Sequence, residues 1–397
     1  MNLSDFGRSI SRCTVAVAVL LGFIAMQALG QEQIYSEGWM TDMLNSGESG
    51  SCSPMSRVYE WRNVGWGSNI NRFLAVWLDS IVRDSESDDF GVDVSPPCFR
   101  RTTCPKASER TGEALAGWRC FFQPMARLCV FDTEQDLGKF LVANFKKTQT
   151  NPTVYSLQQA PRARLYDETE SAAALLGHVY SNMQPWFRED TDSILREKNV
   201  ASVRSGRYVA IHVRRGDKLL LKEASKTEVA VYLQAAESFL RNSTEGGGGP
   251  NFITGLWVAS DDSSVLPEVK ALASNYFPNV QHERVVSISF RTEAPAQLGD
   301  QVELPSTSHL MTYELYVGLH AELHMMSHAD IFVGTFSSNI GRLVYLMREV
   351  NGFSRNSTLS VDVPDWHFGR RDLAIGDSVA TGNRSTNKHG KFDGGED

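Results

Sequence analysis

The stretch Tyr208-Val-Ala-Ile-His-Val-Arg-Arg-Gly-Asp-Lys218 is the most informative part of the sequence, because a short apolar run leads directly into two arginines, an aspartate and a lysine. The run Tyr208–Val213 predicts a buried strand. In a parallel sheet such a strand delivers the residues after it to the carboxyl edge, where open α/β folds bind ligands. Two guanidinium groups at that edge suit a pyrophosphate, with Asp217 close by. A solvated surface pair of arginines is the alternative interpretation.

Strands and helices alternate from about residue 205 onward, and this order predicts a parallel, doubly wound domain of the α/β class. The pattern Ser225-x-x-Glu228 predicts a capping box at the start of the first helix. The predicted strands are Tyr208–Val213, Leu256–Ser260, Arg284–Ser289 and Ile331–Phe336, and the predicted helices are Ser225–Arg241, Val265–Tyr276, His309–His328 and Ser338–Arg348. Upstream, we expect residues 84–130 to be irregular and residues 134–200 to be mostly helical.

The length and composition of the chain are typical of a globular protein with two domains. It has 397 residues, of which 42% are hydrophobic and 22% are charged, and a domain takes roughly 150 residues. The formal charge of −8 argues against broad nucleic-acid binding, which needs a basic surface. We expect one domain over residues 51–204, a second over residues 205–369, and a disordered polar tail over residues 370–397.

The N-terminus carries a targeting segment. Arg8 and Arg12 precede an apolar run over residues 13–26. This run is short for a membrane span, which takes about 20 residues, and it also fits a cleaved signal peptide. We therefore expect residues 1–30 to be a signal anchor or signal peptide and residues 31–50 to be a stem. Both interpretations place the rest of the chain in the secretory pathway, either as a Golgi membrane protein with a lumenal body or as a secreted protein.

The cysteines and glycosylation motifs agree with that location. Four cysteines crowd into residues 98–129 and are expected to form two disulfides whose pairing is left open. Cys52 then has no partner among these four. The sequence contains no Cys-x-x-Cys pair, so a zinc site of that type is not expected. The Asn-x-Ser/Thr acceptors are Asn242, Asn356 and Asn383.

A second motif, Thr335-Phe-Ser-Ser-Asn339, follows the fourth predicted strand and opens a helix. Ser337 and Ser338 can cap that helix, and they can also present hydroxyl and N–H groups to a phosphate at its positive end. Capping without a ligand is the alternative. Together with the arginine strand, this motif predicts the two sides of a diphosphate cleft.

A weaker motif, Gly65-Trp-Gly-Ser-Asn69, precedes an amphipathic, helix-like run over residues 70–83. Glycine at positions 65 and 67 would let backbone N–H groups approach a ligand. An ordinary turn is the alternative interpretation.

Two of these motifs resemble the signature blocks of the α-1,6-fucosyltransferases, which act on N-glycan cores and on rhizobial nodulation factors. The blocks are His212-Val-Arg-Arg-Gly-Asp-Lys218 and Thr335-Phe-Ser-Ser-Asn339. Other segments match in the same order: Gly65-Trp-Gly67, Gln184-Pro-Trp186, Trp257-Val-Ala-Ser-Asp-Asp262 and Glu322-Leu-His-Met-Met-Ser-His-Ala-Asp330. The resemblance does not include the coiled stem or the C-terminal SH3-like domain of the animal enzymes, so their acceptor preferences are not carried over.

The resemblance implies a two-domain GT-B-like fold in which a C-terminal Rossmann-type domain holds GDP-fucose. Arg214 and Arg215 would grip the donor diphosphate, and Ser337 and Ser338 would lie near its β-phosphate. The other donor-binding residues that it implies are His212 and Glu322 near the guanine, Asp261, Gly65 and Gly67. The glutamate at position 322 departs from the aspartate that is frequent in the family.

The reaction that the resemblance implies is an inverting displacement on GDP-β-L-fucose, with α-1,6 transfer to an N-glycan core GlcNAc as the expected outcome. It needs a base for the acceptor hydroxyl and charge stabilisation on the departing GDP. Glu223 is the predicted base and Asp217 is the alternative. Lys218 would either support the leaving group or orient the carboxylate. The segment between Lys218 and Glu223 is one residue longer than the family spacing, which leaves open that Glu223 is a first-turn helix carboxylate.

Two other functions remain open. One is a protein O-fucosyltransferase of the same superfamily, and the other is a pseudoenzyme that binds a GDP-sugar or a glycan without transferring it. No metal cofactor is expected, because arginines can neutralise the diphosphate. His320, His324 and His328 share one helix face, but the sequence around them lacks the spacing of a His-Glu-x-x-His zinc site.

Overall fold

The computed structural model describes residues 169–215, 226–242, 249–288, 313–363 and 366–368, together with shorter pieces upstream. Those pieces are residues 57–60, 70–71, 73–75, 77–78, 90–93, 117–123, 128–131 and 153–155. The predicted targeting segment, stem and polar tail lie outside the described residues. Within these ranges, no helix combines the length and the hydropathy needed to cross a membrane.

A five-stranded parallel sheet forms the centre of the C-terminal half. Its strands are β5 (Tyr208–Val213), β6 (Gly255–Ser260), β7 (Val285–Val286), β8 (Ile331–Gly334) and β9 (Thr358–Ser360). They lie in the order β7-β6-β5-β8-β9, and each neighbouring pair is parallel. Every residue of β5 and β8 is buried, as expected where helices cover both faces of a parallel sheet.

Helices pack on both faces of this sheet. Val209, Ile211 and Val213 of β5 share one core with α4 (Val229–Asn242) and α5 (Val265–Tyr276). Ala210 and Phe332, on the opposite face, belong to a second core. The helices of that core are α1 (Thr169–Ser181), α2 (Pro185–Leu195), α3 (Lys198–Arg204), α6 (Tyr313–Ser327) and α7 (Asn339–Val350). The alternation of side chains along β5 therefore supplies both cores.

The strand order creates a topological switch point between β5 and β8. The chain runs from β5 to β6 and β7 on one side, and then places β8 and β9 on the other side. In open parallel sheets, ligands bind at the carboxyl ends of the strands where the order reverses. The loop after β5 and the turn after β8 therefore flank the expected site.

A second parallel sheet lies in the N-terminal half. Its order is β3-β2-β1-β4, and its strands are β1 (Arg57–Glu60), β2 (Phe90–Asp93), β3 (Leu128–Phe131) and β4 (Thr153–Tyr155). The expectation of irregular structure over 84–130 and of mostly helix over 134–200 is wrong at these strands. Strands of three or four residues are too short to show a periodicity. A parallel sheet in each half confirms the α/β class and agrees with the GT-B-like arrangement.

The start of α4 differs from the prediction. The helix begins at Val229, so Glu228 lies before it and the capping box from Ser225 is wrong. The Val231 N–H bonds to the Glu228 carbonyl at 3.0 Å, while the Thr227 carbonyl accepts from the Arg215 side chain at 3.3 Å. The segment just before the helix is therefore fastened to Arg215.

The third predicted strand is shorter than expected. Among the described residues, β7 covers only Val285–Val286 and follows a 3₁₀ turn at His282–Arg284.

Cys120 is disulfide-bonded, in keeping with the oxidising compartment that the cysteines predict. The segment around it is fastened to the start of α2. The Gln184 amide donates to the carbonyls of Arg119 and Phe122 at 3.0 and 3.1 Å, and Trp186 Nε1 donates to the Cys120 carbonyl at 3.0 Å. These bonds explain why a Gln-Pro-Trp sequence stands at this position.

Candidate functional site

The two sequence motifs meet at the carboxyl edge of the C-terminal sheet. Arg214 and Arg215 follow β5, and residues 335–338 form the turn between β8 and α7. Strands β5 and β8 pair directly, with Ile211 opposite Val333, so the segments that follow them are neighbours across the switch point. The predicted cleft has the arginines on one side and a helix N-terminus on the other.

Asp261, which follows β6, holds the arginine segment in place. Its Oδ1 accepts from the Arg215 backbone N–H at 2.8 Å, and its Oδ2 pairs with the Arg214 guanidinium. The Ser260 hydroxyl donates to the Val213 carbonyl at 2.7 Å, which ties the ends of β5 and β6 together. Because the Asp261 side chain is only 2% exposed, it is a fixed partner that sets the direction of Arg214.

Arg215 is buried in an ion pair with Glu268 of α5. Its Nη1 donates to Glu268 Oε2 at 2.7 Å and its Nη2 donates to Oε1 at 3.3 Å. The hydrogen bond between them raises the pKa of Arg215 and lowers the pKa of Glu268. The Arg215 side chain is 4% exposed and that of Arg214 is 20% exposed. Of the two predicted diphosphate ligands, Arg214 is therefore the more accessible, whereas Arg215 links the loop after β5 to α5.

Replacing Arg215 with alanine is expected to lower the stability of the fold. The change removes the donor of the Thr227 carbonyl and the charged partner of Glu268, which is 30% exposed and keeps a hydrogen bond from the Val229 backbone. We expect a loss of about 2 kcal/mol, as for a hydrogen bond between charged groups. Denaturant unfolding of Arg215→Ala and of the wild type measures this loss. The control is Arg241→Ala, because Arg241 forms an exposed pair with Glu237 that is worth at most about 1 kcal/mol. An Arg215→Ala protein as stable as the wild type would show that the link between the loop after β5 and α5 does not stabilise the fold.

The two serines of the second motif have different surroundings. The Ser337 N–H donates to Asp362 Oδ2 at 3.2 Å, and the Ser337 hydroxyl bonds to the same carboxylate. Ser338 occupies the N-cap position of α7 and is 3% exposed. Its side chain makes no capping hydrogen bond, so the expected side-chain cap is not formed. The Ser337 hydroxyl is thus engaged by Asp362 and that of Ser338 is not used for capping, which makes Ser338 the candidate of the two to meet a phosphate at this helix end.

The first turn of α7 packs closely against the end of β8. A Cβ atom at Gly341 would lie 2.2 Å from the Thr335 carbonyl oxygen, so only glycine permits this approach. Asn71 contacts the same turn, since its Nδ2 donates to the Asn339 carbonyl at 3.0 Å. The first N–H groups of a helix have no acceptor within it, and with the helix dipole they favour an anion. This positive end lies at the same sheet edge as Arg214.

His212 and Glu322, which are expected near the guanine, lie on one side of the sheet. His212 is buried, and the alternation along β5 places its side chain on the face of Tyr208 and Ala210. Glu322 is half-buried on α6, and α6 contacts β5 and β6 on that face. The structure therefore places both residues on the α6 side of the sheet.

His320 and His324 of α6 and His328, which follows the helix, are engaged in packing. His320 Nδ1 bonds to the Tyr316 carbonyl at 2.9 Å, and its ring meets Phe187 edge-on at 4.6 Å. The rings of His324 and His328 stack at 3.9 Å. Burial lowers the pKa of His320 to about 4 and the pKa of His324 to about 3. In the part of the chain that the structure describes, no three His, Cys, Asp or Glu side chains are grouped to hold a metal ion.

Several predicted residues lie outside the described ranges, and their roles stay predictions. They are the candidate catalytic residues Asp217, Lys218 and Glu223, the glycines Gly65 and Gly67, and the acceptor Asn383. The other two glycosylation acceptors, Asn242 and Asn356, are exposed.

The structure adds Asn71 and Asp362 to the site. Asn71 belongs to helical residues that follow the Gly-Trp-Gly motif, and it reaches the first turn of α7 from 268 residues away in sequence. Asp362 lies two residues after β9. In the sequence, Asn71 is marked only by its position after the Gly-Trp-Gly motif, and Asp362 only by its position after a short run of residues that forms β9.

Comparison with known proteins supports the resemblance. Residues 183–362 match the model of the N- and catalytic domains of α-(1,6)-fucosyltransferases. An α-(1,6)-fucosyltransferase of Caenorhabditis elegans is 26% identical over 183 residues, which are 45% of this chain and 29% of the relative. The chain thus spans less than a third of the curated relative that it matches.

Solved fucosyltransferase structures also align with the chain. NodZ from Bradyrhizobium aligns at 13% identity with a TM-score of 0.40, covering 74% of this chain and 94% of that one. POFUT1 in complex with GDP-fucose aligns at 11% identity with a TM-score of 0.41, covering 82% of this chain and all of that one.

Proposed function

We propose that the chain transfers fucose from GDP-fucose to a glycan acceptor, with inversion at the anomeric carbon. The observation that carries this proposal is the meeting of Arg214 and the positive end of α7 at one sheet edge. That edge lies within residues 183–362, the segment that matches the fucosyltransferase family.

The donor diphosphate would bind across the switch point. The Arg214 guanidinium would contact the phosphate oxygens from the β5 side. From the β8 side, the phosphate oxygens would be contacted by the Ser338 hydroxyl and the first-turn N–H groups of α7. A guanidinium has five N–H donors, so Arg214 can serve Asp261 and a phosphate at once. This arrangement stabilises the charge that develops on GDP as it departs, and it does so without requiring a metal ion.

The transfer step is a single displacement. The acceptor hydroxyl oxygen bonds to the anomeric carbon while the bond from that carbon to the β-phosphate oxygen breaks, and GDP leaves with the electron pair. The acceptor proton passes to a carboxylate. Glu223 is the proposed base and Asp217 the alternative, because both follow the strand that carries Arg214.

We propose α-1,6 transfer to the core GlcNAc of an N-glycan as the finer activity. The family match supports it, since the matching model and relative are α-(1,6)-fucosyltransferases. A protein O-fucosyltransferase and a non-catalytic GDP-sugar binder are the competing functions.

Incubation with GDP-fucose and separate acceptors tests this function. The acceptors are an N-glycan with an unsubstituted core, a chito-oligosaccharide and a folded protein domain rich in Ser and Thr, and mass spectrometry detects the added deoxyhexose. We expect product on the N-glycan, at the 6-position of the innermost GlcNAc. Product on the protein domain alone would identify an O-fucosyltransferase. GDP-fucose binding without product on any acceptor would favour the non-catalytic binder.

The two serines give a prediction about the donor site. Ser338→Ala is expected to weaken GDP binding about tenfold, because it removes one hydrogen bond to a charged phosphate, worth roughly 1.5 kcal/mol. Ser337→Ala should weaken it by less than about threefold, because its hydroxyl is turned to Asp362. Calorimetric titration with GDP measures both. A larger loss for Ser337→Ala would reverse the assignment.

We also propose that the chain works in the lumen of the secretory pathway, as a Golgi membrane protein or a secreted one. The disulfide at Cys120 and the basic and apolar N-terminal sequence support this location. Microscopy of the tagged full-length chain, with protease protection of the tag, tests it.

A further inference from the structure

Asp362 lies beside the phosphate-facing turn. Strand β9 pairs with β8, with Ser360 opposite Gly334, so the residues after each strand are adjacent at the carboxyl edge. Asp362 follows β9 by two residues, and the turn of residues 335–338 follows β8. A carboxylate is therefore fixed next to a site that we propose to bind a diphosphate.

The carboxylate of Asp362 is surrounded by donors from that turn and from its own segment. Oδ1 accepts from the Phe336 N–H at 2.8 Å, the Ser360 hydroxyl at 2.6 Å and the Val363 N–H at 2.8 Å. Oδ2 accepts from the Ser337 N–H at 3.2 Å, and the Ser337 hydroxyl adds a further bond. Removal from water would raise the pKa of Asp362, but the bonds from Ser337, Ser360 and Phe336 outweigh it and lower the pKa.

This donor set excludes Asp362 as the catalytic base. A carboxylate has about four acceptor positions, and five hydrogen bonds already converge on this one. Its lowered pKa also makes it a poor proton acceptor. Its position beside the site therefore calls for another role.

The peptide units on both sides of Phe336 are held. Asp362 accepts from the Phe336 N–H, and the Phe336 carbonyl accepts from Arg342 Nε at 2.5 Å. The Arg342 guanidinium in turn lies 5.5 Å from the centre of the Trp366 ring. Asp362 and Arg342 thus hold the backbone of the turn on both sides of Phe336, immediately before Ser338 and the first turn of α7.

We propose that Asp362 is a positioning residue of the donor site. It takes up the Phe336 and Ser337 donors that a phosphate would otherwise use, and so directs the diphosphate to Ser338 and the first turn of α7. Without Asp362 the Ser337 N–H loses this acceptor and the Phe336 N–H keeps only the Ser360 hydroxyl oxygen, at 3.2 Å. The turn is then held less firmly, and Ser338 loses its fixed orientation. This inference rests on the proposed GDP-fucose site, but it goes beyond it by assigning a role to a residue that does not touch the donor.

A double-mutant cycle on GDP affinity tests the inference in the full-length chain. Asp362→Ala is expected to weaken GDP binding about tenfold in the wild-type background but less than about threefold in the Ser338→Ala background, because coupled residues are not additive. Asp362→Asn should fall between Asp362→Ala and the wild type, since an amide oxygen can still accept from Phe336. Asp192→Ala, which removes an exposed carboxylate on α2, is the control and should bind GDP as the wild type does.

The outcomes separate the inference from the function on which it rests. If the wild type does not bind GDP, both fall. If it binds GDP and Asp362→Ala binds equally well, or if the losses of Asp362→Ala and Ser338→Ala simply multiply, only the positioning role falls. Should Asp362→Ala fail to fold by circular dichroism, Ser360→Ala keeps the test open. It removes one donor to Asp362 and the second acceptor of the Phe336 N–H, and it leaves the carboxylate in place. We expect Ser360→Ala to weaken GDP binding about threefold, and unchanged binding would overturn the role.

Discussion

Arg214→Ala is expected to reduce GDP-fucose transfer at least about a hundredfold. Arg214 lies at the carboxyl edge of β5, across the switch point from the positive end of α7. Hydrogen bonds between a guanidinium and a phosphate are charge-assisted, and losing them costs about 3 kcal/mol. Initial rates at saturating acceptor, with GDP titrations alongside, measure the effect on turnover and on binding.

Arg214→Lys and a distant arginine provide the controls. Lysine keeps the charge but loses the planar fork, so we expect Arg214→Lys to recover only part of the affinity. Arg241→Ala removes an exposed arginine on α4 and should leave transfer unchanged. An Arg214→Ala enzyme within about threefold of wild-type affinity for GDP would contradict the assignment, because one charge-assisted bond alone is worth more than that.

Asp261→Asn is expected to produce the second large loss, close to that of Arg214→Ala. The carboxylate of Asp261 pairs with the Arg214 guanidinium and accepts the Arg215 N–H, and it is almost fully buried. Asparagine preserves the shape, but its amide cannot form the ion pair and can turn an N–H toward the guanidinium. Without this ion pair Arg214 loses the orientation that its contact with a phosphate requires, and losing such charge-assisted bonds costs about 3 kcal/mol.

Combining Arg214→Ala with Asp261→Asn tests whether Asp261 acts through Arg214. If Asp261 acts through Arg214, the double variant Arg214→Ala/Asp261→Asn should lose little more activity than Arg214→Ala, because residues of one network are not additive. Kinetic constants of the two single variants and the double variant provide the measurement. Fully multiplicative losses would show that Asp261 acts on the donor independently of Arg214.

The sequence predicted the part of the site that lies where a buried apolar strand runs directly into a polar motif. The apolar run before Arg214 and the run before Thr335 each predicted a strand end, and parallel pairing brings such ends together. The structure confirms β5, β8 and the helix that starts after Ser338. The resemblance on these motifs is likewise confirmed by the family match over residues 183–362.

The different roles of Arg214 and Arg215 were not predictable from the sequence, because they depend on a partner that is remote in sequence. Glu268 lies 53 residues after Arg215, and no local pattern marks it as the partner of this arginine rather than of Arg214. Asp362 and β9 have the same difficulty, since three residues give too short a run to identify a strand. The strands of the N-terminal sheet were missed for that reason as well.

Acceptor-dependent GDP release from GDP-fucose in the presence of EDTA is the decisive experiment for this protein. In the proposed reaction, Arg214 and the dipole of α7 stabilise the departing GDP at the sheet edge between β5 and β8. We predict that the purified chain releases GDP only with a glycan acceptor, that EDTA leaves the rate unchanged, and that Arg214→Ala lowers it at least about a hundredfold. A rate that disappears with EDTA, or that stays near the wild-type value in Arg214→Ala, would contradict this mechanism.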